Sequence, residues 1–226
     1  MCRLRRKQTV QGGRLSVTRI VFSKTGYAKY ISHLDLTRCM ARIMARAEIP
    51  IWYTQGFNPH PYMVFSAALP IGVCGERELL DIKLVDPPEY AVLLDRMIKN
   101  SPDGISFSDI YDSDLDFKYI EKAVYVLTVP TDLSEIFEEF VSGPTIPASK
   151  KTKSGEIKID LKEEMQIRKT REDKDSAVFE VIAPCGNERN ISPTLLTAAF
   201  AEKTGNSSVF DIARTAFLDG KSNIFR

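Results

Sequence analysis

The sequence predicts an α+β protein with antiparallel sheets, and three observations support that fold class. Segments rich in β-branched and aromatic residues recur along the 226 residues, as expected for strands. Amphipathic segments with apolar residues at helical spacing lie between them. A hydrophobic fraction of 43% is enough for a packed core, and 27% charged residues are typical of a water-exposed surface.

The first half of the chain contains four predicted strands and two predicted helices. The strands cover residues 18–23, 62–68, 78–85 and 105–111, and the helices lie between Ser32 and Pro50 and over residues 89–99. This βαββαβ order is the ferredoxin-like arrangement. Both helices are expected on one face of the sheet, which would leave the other face open to a partner.

The same order recurs after an acidic, turn-rich segment at residues 112–116, which predicts a domain boundary. The second set has strands at 122–129, 156–161, 177–182 and 209–217 and helices at 132–141 and 192–203. We therefore expect a tandem of two ferredoxin-like units, residues 17–113 and 114–226. Residues 1–16 are basic and predict a flexible leader, with a nucleic-acid-binding arm as the alternative.

The most informative stretch is residues 26–61, which holds both histidines and the only tryptophan of the chain. Ser32 and Asp35 are spaced as a capping box, which predicts where the first helix begins. An apolar stripe follows, at Leu36, Cys39, Met40, Ile43 and Ala47. Beside that stripe lies a row of guanidinium groups four residues apart, at Arg38, Arg42 and Arg46. Asp35 is expected to cap the helix and to pair with Arg38.

Two further segments carry candidate binding residues. Gly56 and two prolines make the loop at residues 55–61 stiff, so Gln55, Phe57, Asn58 and His60 would project from it with little freedom to lose on binding. In the second half, residues 149–155 predict a loop whose lysines could follow a phosphate backbone, with a solvated hairpin arm as the alternative. These lysines are Lys150, Lys151 and Lys153.

Several kinds of chemistry remain open from the residues alone. His33 and His60, with the arginine row, have the groups needed for acid–base catalysis on RNA. A metal bound by His33, His60 and Asp35 is conceivable, but the spacing matches no known metal motif, so neither metal nor cofactor is predicted. The four cysteines are scattered, which excludes iron–sulfur and zinc-knuckle spacings and favours a reducing cytoplasm. The apolar runs are too short for a membrane span.

The segment YISHLDLTRCMARIMARAEIPIWYTQGFNPHP, with LPIGV after it, resembles the bacterial radical SAM-linked protein family. The segment KTKSGEIKIDL is similar to the second half of that family. The resemblance implies a protein encoded beside, or fused to, a radical SAM protein, and it implies no mechanism. The sequence departs from this family at Ala45, where family members often have a second arginine. The tandem arrangement is also similar, at the level of fold alone, to CRISPR-associated repeat-processing endoribonucleases.

Three functions are consistent with these features. The first is RNA binding or RNA processing as the accessory of a radical SAM partner, through the arginine row and the loop around Phe57. The second is a metal-independent endoribonuclease that uses His33 and His60. The third is an adaptor that binds only protein. The sequence decides neither whether the protein is an enzyme nor which oligomer it forms.

Overall fold

The computed structural model describes residues 17–113, 115–152, 155–186, 188–206, 208 and 210–226. It is an α+β protein with a mostly antiparallel sheet, and its described part contains five α-helices. The first half comprises β1 (Val17–Lys24), a 3₁₀ turn (Gly26–Tyr30), α1 (His33–Arg46), β2 (Met63–Phe65), β3 (Cys74–Lys83), α2 (Tyr90–Lys99) and β4 (Ile105–Asp112).

The second half begins with a short 3₁₀ turn, Phe117–Tyr119, and ends near the last residue. Its elements are β5 (Ile120–Pro130), α3 (Thr131–Ser142), β6 (Pro147–Thr152), β7 (Gly155–Asp160), α4 (Leu161–Glu164), β8 (Gln166–Glu172), β9 (Ser176–Pro184), α5 (Thr194–Thr204) and β10 (Asp211–Asp219). No helix among the described residues is both long and apolar enough to cross a membrane.

One sheet runs through both halves of the chain. Its strand order is β4-β1-β3-β10-β5-β9-β8, and β2 pairs with the C-terminal part of β3. Every pairing is antiparallel except that of β3 with β10, where Cys74 lies opposite Ala213. Strands β6 and β7 form a separate two-stranded hairpin. The two halves therefore meet at the parallel pair of β3 and β10.

Helices α1 and α2 cover one face of the strands from the first half. Ile20 and Phe22 of β1 pack in a core with Leu36 and Met40 of α1 and with Leu93 of α2. Because side chains alternate along a strand, the residues between them must face the opposite side. The position of α1 is thus fixed by the apolar stripe that the sequence shows.

The second half has a core rich in phenylalanine. The ring of Phe137 in α3 lies 4.9 Å from that of Phe179, 5.3 Å from Phe200 and 5.4 Å from Phe210, all edge to face. Such edge-to-face pairs are favourable because the positive ring edge meets the negative ring face. Val21 and Leu79 of the first half belong to this same core, so it extends across the junction.

The face of β1 and β3 opposite the helices is covered, which corrects the expectation of an open face. Arg19 is 0% exposed and Asp81 7%, and two hydrogen bonds of 2.7 and 2.8 Å join them. The Arg19 guanidinium lies 4.3 Å from the ring centre of Phe117 and 5.1 Å from that of Phe225. A charged residue in an alternating strand pattern usually faces solvent. Arg19 is instead buried, because Asp81 pairs with its guanidinium and two aromatic rings pack against it.

A buried ion pair also joins β3 to β10 at the junction. Arg214 is 1% exposed, and its Nε and Nη2 lie 2.9 and 2.5 Å from the carboxylate oxygens of Glu78. Burial alone would lower the pKa of Arg214, but the pair with Glu78 outweighs it and raises that pKa. Gly75 leaves room for Glu78, because a Cβ at Gly75 would lie 2.5 Å from the Glu78 Cγ.

In the second half, one predicted strand pairs outside the main sheet and another strand was missed. The strand expected at residues 156–161 is β7, which pairs with β6 outside the main sheet. The described residues of 149–155 lie in that hairpin, which was the alternative to a phosphate-binding loop. The sheet strand in this position is β8, which was not predicted. Its sequence, QIRKTRE, lacks an apolar alternation because β8 is an edge strand, and charged side chains protect such edges from further pairing.

Candidate functional site

Helix α1 presents the candidate surface, and its start is built as the sequence predicts. The backbone N–H of Asp35 donates to the Ser32 hydroxyl at 3.1 Å, and that hydroxyl donates to the Asp35 carboxylate at 2.7 Å. The hydrogen bond from Ser32, and then that from Arg38, lower the pKa of Asp35. Leu36, Met40 and Ile43 are buried, so α1 is held against the sheet by the face opposite its charges.

The three arginines of α1 are all exposed, but they differ in their contacts. Arg38 pairs with Asp35 at 3.3 Å, and the Arg46 Nη2 donates to the Asn100 carbonyl at 2.7 Å. Arg42 makes no hydrogen bond or ion pair with any residue that the structure describes. Successive arginines rise ~6 Å along the axis. This row is a set of exposed guanidinium groups that keep donors available on one side of a helix packed against the sheet.

Cys39, which lies half-buried in the apolar stripe, is close to this row. Burial raises the pKa of its thiol, although Arg46 and Arg42 act in the opposite direction. The thiol is therefore largely protonated at neutral pH, and it is a packing residue rather than a nucleophile.

The loop after α1 has a hydrogen-bonded neck. The Thr54 N–H donates to the His60 carbonyl at 2.9 Å, and the His60 N–H donates to the Thr54 hydroxyl at 3.2 Å. The His60 Nδ1 lies 3.1 Å from the Asn58 carbonyl oxygen and 3.1 Å from the Thr54 hydroxyl. Between the two sides of the neck, Phe57 is wholly exposed.

An aromatic pair that the sequence does not predict lies at the base of this neck. The Lys83 ammonium of β3 lies 4.5 Å from the ring centre of Tyr62 and 5.7 Å from that of Trp52. The two rings are 6.0 Å apart. Lys83 of β3 lies directly beside the segment that leads into β2. This neighbourhood comes from strand pairing, so the sequence alone gives no signal for the site.

The two imidazoles have separate contacts. The exposed His33 packs its ring edge to face against Phe65 at 5.0 Å, whereas His60 bonds only within its own loop. Phe65 is four residues of extended chain, ~13 Å, from Pro61. Neither a hydrogen bond nor a ring contact joins His33 to His60 among the described residues. Each imidazole is therefore held by its own set of contacts, and the joint use of His33 and His60 stays a prediction.

The lysines predicted to bind phosphate belong to the hairpin of the second half. The Lys150 ammonium donates to the Asn190 carbonyl at 2.7 Å, and Lys151 lies in β6 opposite Glu156. Lys153 lies outside the described residues. In the described part of the chain, the Lys150 ammonium donates to neither α1 nor the loop around Phe57. The hairpin is thus a separate basic element.

The arginine row lies outside three clefts of the molecule, of about 460, 430 and 440 Å³. Among the predicted RNA-binding residues whose side chains the structure describes, Lys150 lines one of these clefts. In the parts of the chain that the structure describes, no three His, Cys, Asp or Glu side chains are placed to hold a metal ion. An open, cationic helix face suits an extended anionic partner better than a small enclosed ligand.

The fold and this face define the class: an α+β protein with one long sheet and an arginine-lined helix on it. Residues 18–193 match the family described as "Uncharacterized protein conserved in bacteria (DUF2344)". The chain belongs to this bacterial family.

Other comparisons add nothing to that assignment. No curated protein matches the sequence. A solved structure, "Crystal Structure of an Unknown Protein from Galdieria sulphuraria", aligns with 89% of this chain and 98% of that chain, at 8% identity and a TM-score of 0.28. A similarity at that level supports no assignment of function.

Proposed function

We propose that this protein binds RNA through the exposed face of α1. The observation that carries the proposal is the row of three exposed guanidinium groups, in which Arg42 has no hydrogen bond or ion pair to the described residues and Arg38 and Arg46 each keep donors available. Guanidinium groups bind phosphate oxygens with two parallel hydrogen bonds, so such a row matches a repeating phosphate backbone. The formal net charge is only +1, so attraction must come from this local clustering.

The loop around Phe57 and the β6–β7 hairpin are proposed to extend this surface. Gln55, Asn58 and His60 supply exposed donors and acceptors beside an aromatic ring, which is the combination that recognises unpaired bases. Lys150, Lys151 and Lys153 would contact phosphates at a distance from α1. The hydrogen-bonded neck between Thr54 and His60 supports this role because it limits the entropy lost on binding.

The proposal also covers the setting in which the protein acts. The SHLDL and GFNPHP motifs support an accessory role beside a radical SAM protein. Cys39, Cys74 and Cys185 are free thiols, which favours a cytoplasmic location. The strand orders β4-β1-β3-β2 and β10-β5-β9-β8 support two ferredoxin-like units, residues 17–113 and 114–226, joined through one sheet.

Retention of labelled cellular RNA on a filter with the purified protein tests the proposal. We expect retention at low salt that falls steeply as salt rises, because phosphate contacts release counterions. The absence of retention at low salt would contradict the proposal and would leave the protein-only adaptor. Cleavage of the RNA in EDTA that is lost in His60→Ala would instead favour the endoribonuclease.

A further inference from the structure

The 3₁₀ turn before α1 carries two exposed aromatic rings, and none of its residues is fully buried. Tyr27 is 92% exposed and Tyr30 is 56% exposed. A tyrosine in this position contributes almost nothing to the core, whereas its ring keeps a large apolar face in water. Packing in the monomer therefore does not explain why the turn carries two aromatic rings.

The backbone of this turn is nevertheless fastened on several sides. The ammonium of Lys24, a residue that is 1% exposed, donates to the carbonyls of Ile31 at 3.0 Å and Lys29 at 3.4 Å. The Gly72 N–H donates to the same Lys29 carbonyl at 2.9 Å. On the other side, the Lys29 ammonium pairs with Asp211 of β10 at 2.9 Å. The backbone of the turn is thus held in place by these contacts, while the two tyrosine rings are exposed.

After the extended residues Ile31 and Ser32, the turn is followed by α1, which carries the arginine row. Leu34 in the first turn of α1 is 58% exposed, and Arg38 and Arg42 follow it at intervals of four residues. Residues at this interval drift slowly around a helix, so they form one ridge. Asp35 is the acidic residue within it, and its carboxylate is engaged by Ser32 and Arg38. Two exposed tyrosines, Tyr27 and Tyr30, thus come just before an exposed ridge of α1 in the chain, and that ridge consists of Leu34, Arg38, Arg42 and Arg46.

We infer that this ridge binds single-stranded RNA, with unpaired bases stacked on Tyr27 and Tyr30 and the following phosphates on the arginines. The inference rests on the proposed function and adds the form of the RNA. Only unpaired nucleotides expose the faces of their bases, whereas a duplex presents its backbone and its groove edges. Stacking on tyrosine is tolerant of sequence, because every base has a π face. The ridge is therefore a general single-strand binder.

Fluorescence anisotropy with a labelled oligouridylate, alone and hybridised to its complement, tests the inference. We expect the single strand to bind at least ~10-fold more tightly than the duplex. Replacing Tyr27 and Tyr30 together by alanine should weaken single-strand binding at least ~10-fold and leave the salt dependence unchanged, because stacking releases no counterions. The double phenylalanine variant should retain the affinity, and Tyr119→Ala, also at an exposed 3₁₀ tyrosine, is the matched control.

Failure of the inference and failure of the proposed function give different results. The single-strand inference alone would be overturned by three results together. Single strand and duplex would bind equally, substitution of the arginines would abolish binding, and the tyrosine-to-alanine change would leave it unaffected. Binding of neither form at low salt would overturn both. A thermal melt of each variant shows that it is folded, so a loss of binding is not a loss of structure.

Discussion

Ser32 makes the contacts on which the start of α1 depends. We expect Ser32→Ala to lower the free energy of unfolding by about 1 kcal/mol, because the Asp35 N–H loses its partner. Urea unfolding measures this, with Ser142→Ala, an exposed serine at the end of α3, as the control. A cost no larger than that of the control would contradict the capping role.

The destabilisation caused by Ser32→Ala should depend on pH. Because the hydrogen bond from Ser32 lowers the pKa of Asp35, this hydrogen bond contributes fully to folding stability above the ordinary carboxyl pKa of 3.8. It is lost as the pH falls through the lower pKa of the folded state. The difference between wild type and Ser32→Ala should therefore shrink in acid, and urea unfolding at a series of pH values measures it. A constant difference would show that Asp35 is not involved.

Local features of single residues could be predicted from the sequence, and distant ones could not. The Ser32 cap, the buried stripe of α1 and the exposure of Arg38, Arg42 and Arg46 all follow from spacing. The burial of Arg19 does not, because its partner Asp81 is 62 positions away. Lys24 is buried because its ammonium donates to carbonyls of the turn that follows β1. This cause is local, but the place of Lys24 in the alternating pattern of β1 does not predict its burial.

At the scale of elements, the neck of the loop should control binding more than stability. Thr54→Val preserves the shape of the side chain but removes the oxygen that meets the His60 N–H and Nδ1. We expect weaker RNA binding from a looser loop, and a change in unfolding free energy below ~1 kcal/mol because these groups are exposed. Anisotropy and urea unfolding of one preparation separate the two effects. Unchanged affinity would show that the loop takes no part in binding.

At the junction between β3 and β10, a substitution should lower stability rather than weaken RNA binding. Glu78→Gln leaves the buried Arg214 without its carboxylate, which should cost ~3–5 kcal/mol of unfolding free energy. Glu76→Gln, at an exposed position on the same strand, is the matched control. Replacing Glu78 and Arg214 together by Gln and Met should recover part of the loss. Equal stability of the two single variants would contradict a structural role for the pair.

Elements with a clear apolar period were predicted close to their observed bounds, and those without it were not. Helix α2 and strands β4 and β9 lie within two residues of their expected positions. Strand β8 was missed because its pattern is polar, and β7 was assigned to the wrong sheet. A strand's own residues predict that it is extended, but its partner is chosen by tertiary packing.

At the scale of the whole molecule, the continuous sheet predicts that both halves unfold together. Trp52, the only tryptophan, reports on the first half, whereas far-ultraviolet circular dichroism reports on all elements. Because the core of the second half includes Val21 and Leu79, we expect the two signals to change at the same urea concentration. Separate midpoints would show two independently folding units.

The proposal that this protein binds RNA depends most directly on the salt dependence contributed by Arg42. Anisotropy titrations of oligouridylate over a range of salt concentrations give the slope of log K against log salt for wild type, Arg42→Gln and Arg171→Gln. The last variant removes an equal charge from the edge strand β8. We predict that Arg42→Gln reduces the magnitude of the slope by ~0.7, the value for one lost phosphate contact on a single strand, and that Arg171→Gln leaves it unchanged. Identical slopes for the two variants would contradict the assignment of α1 as the RNA-binding face.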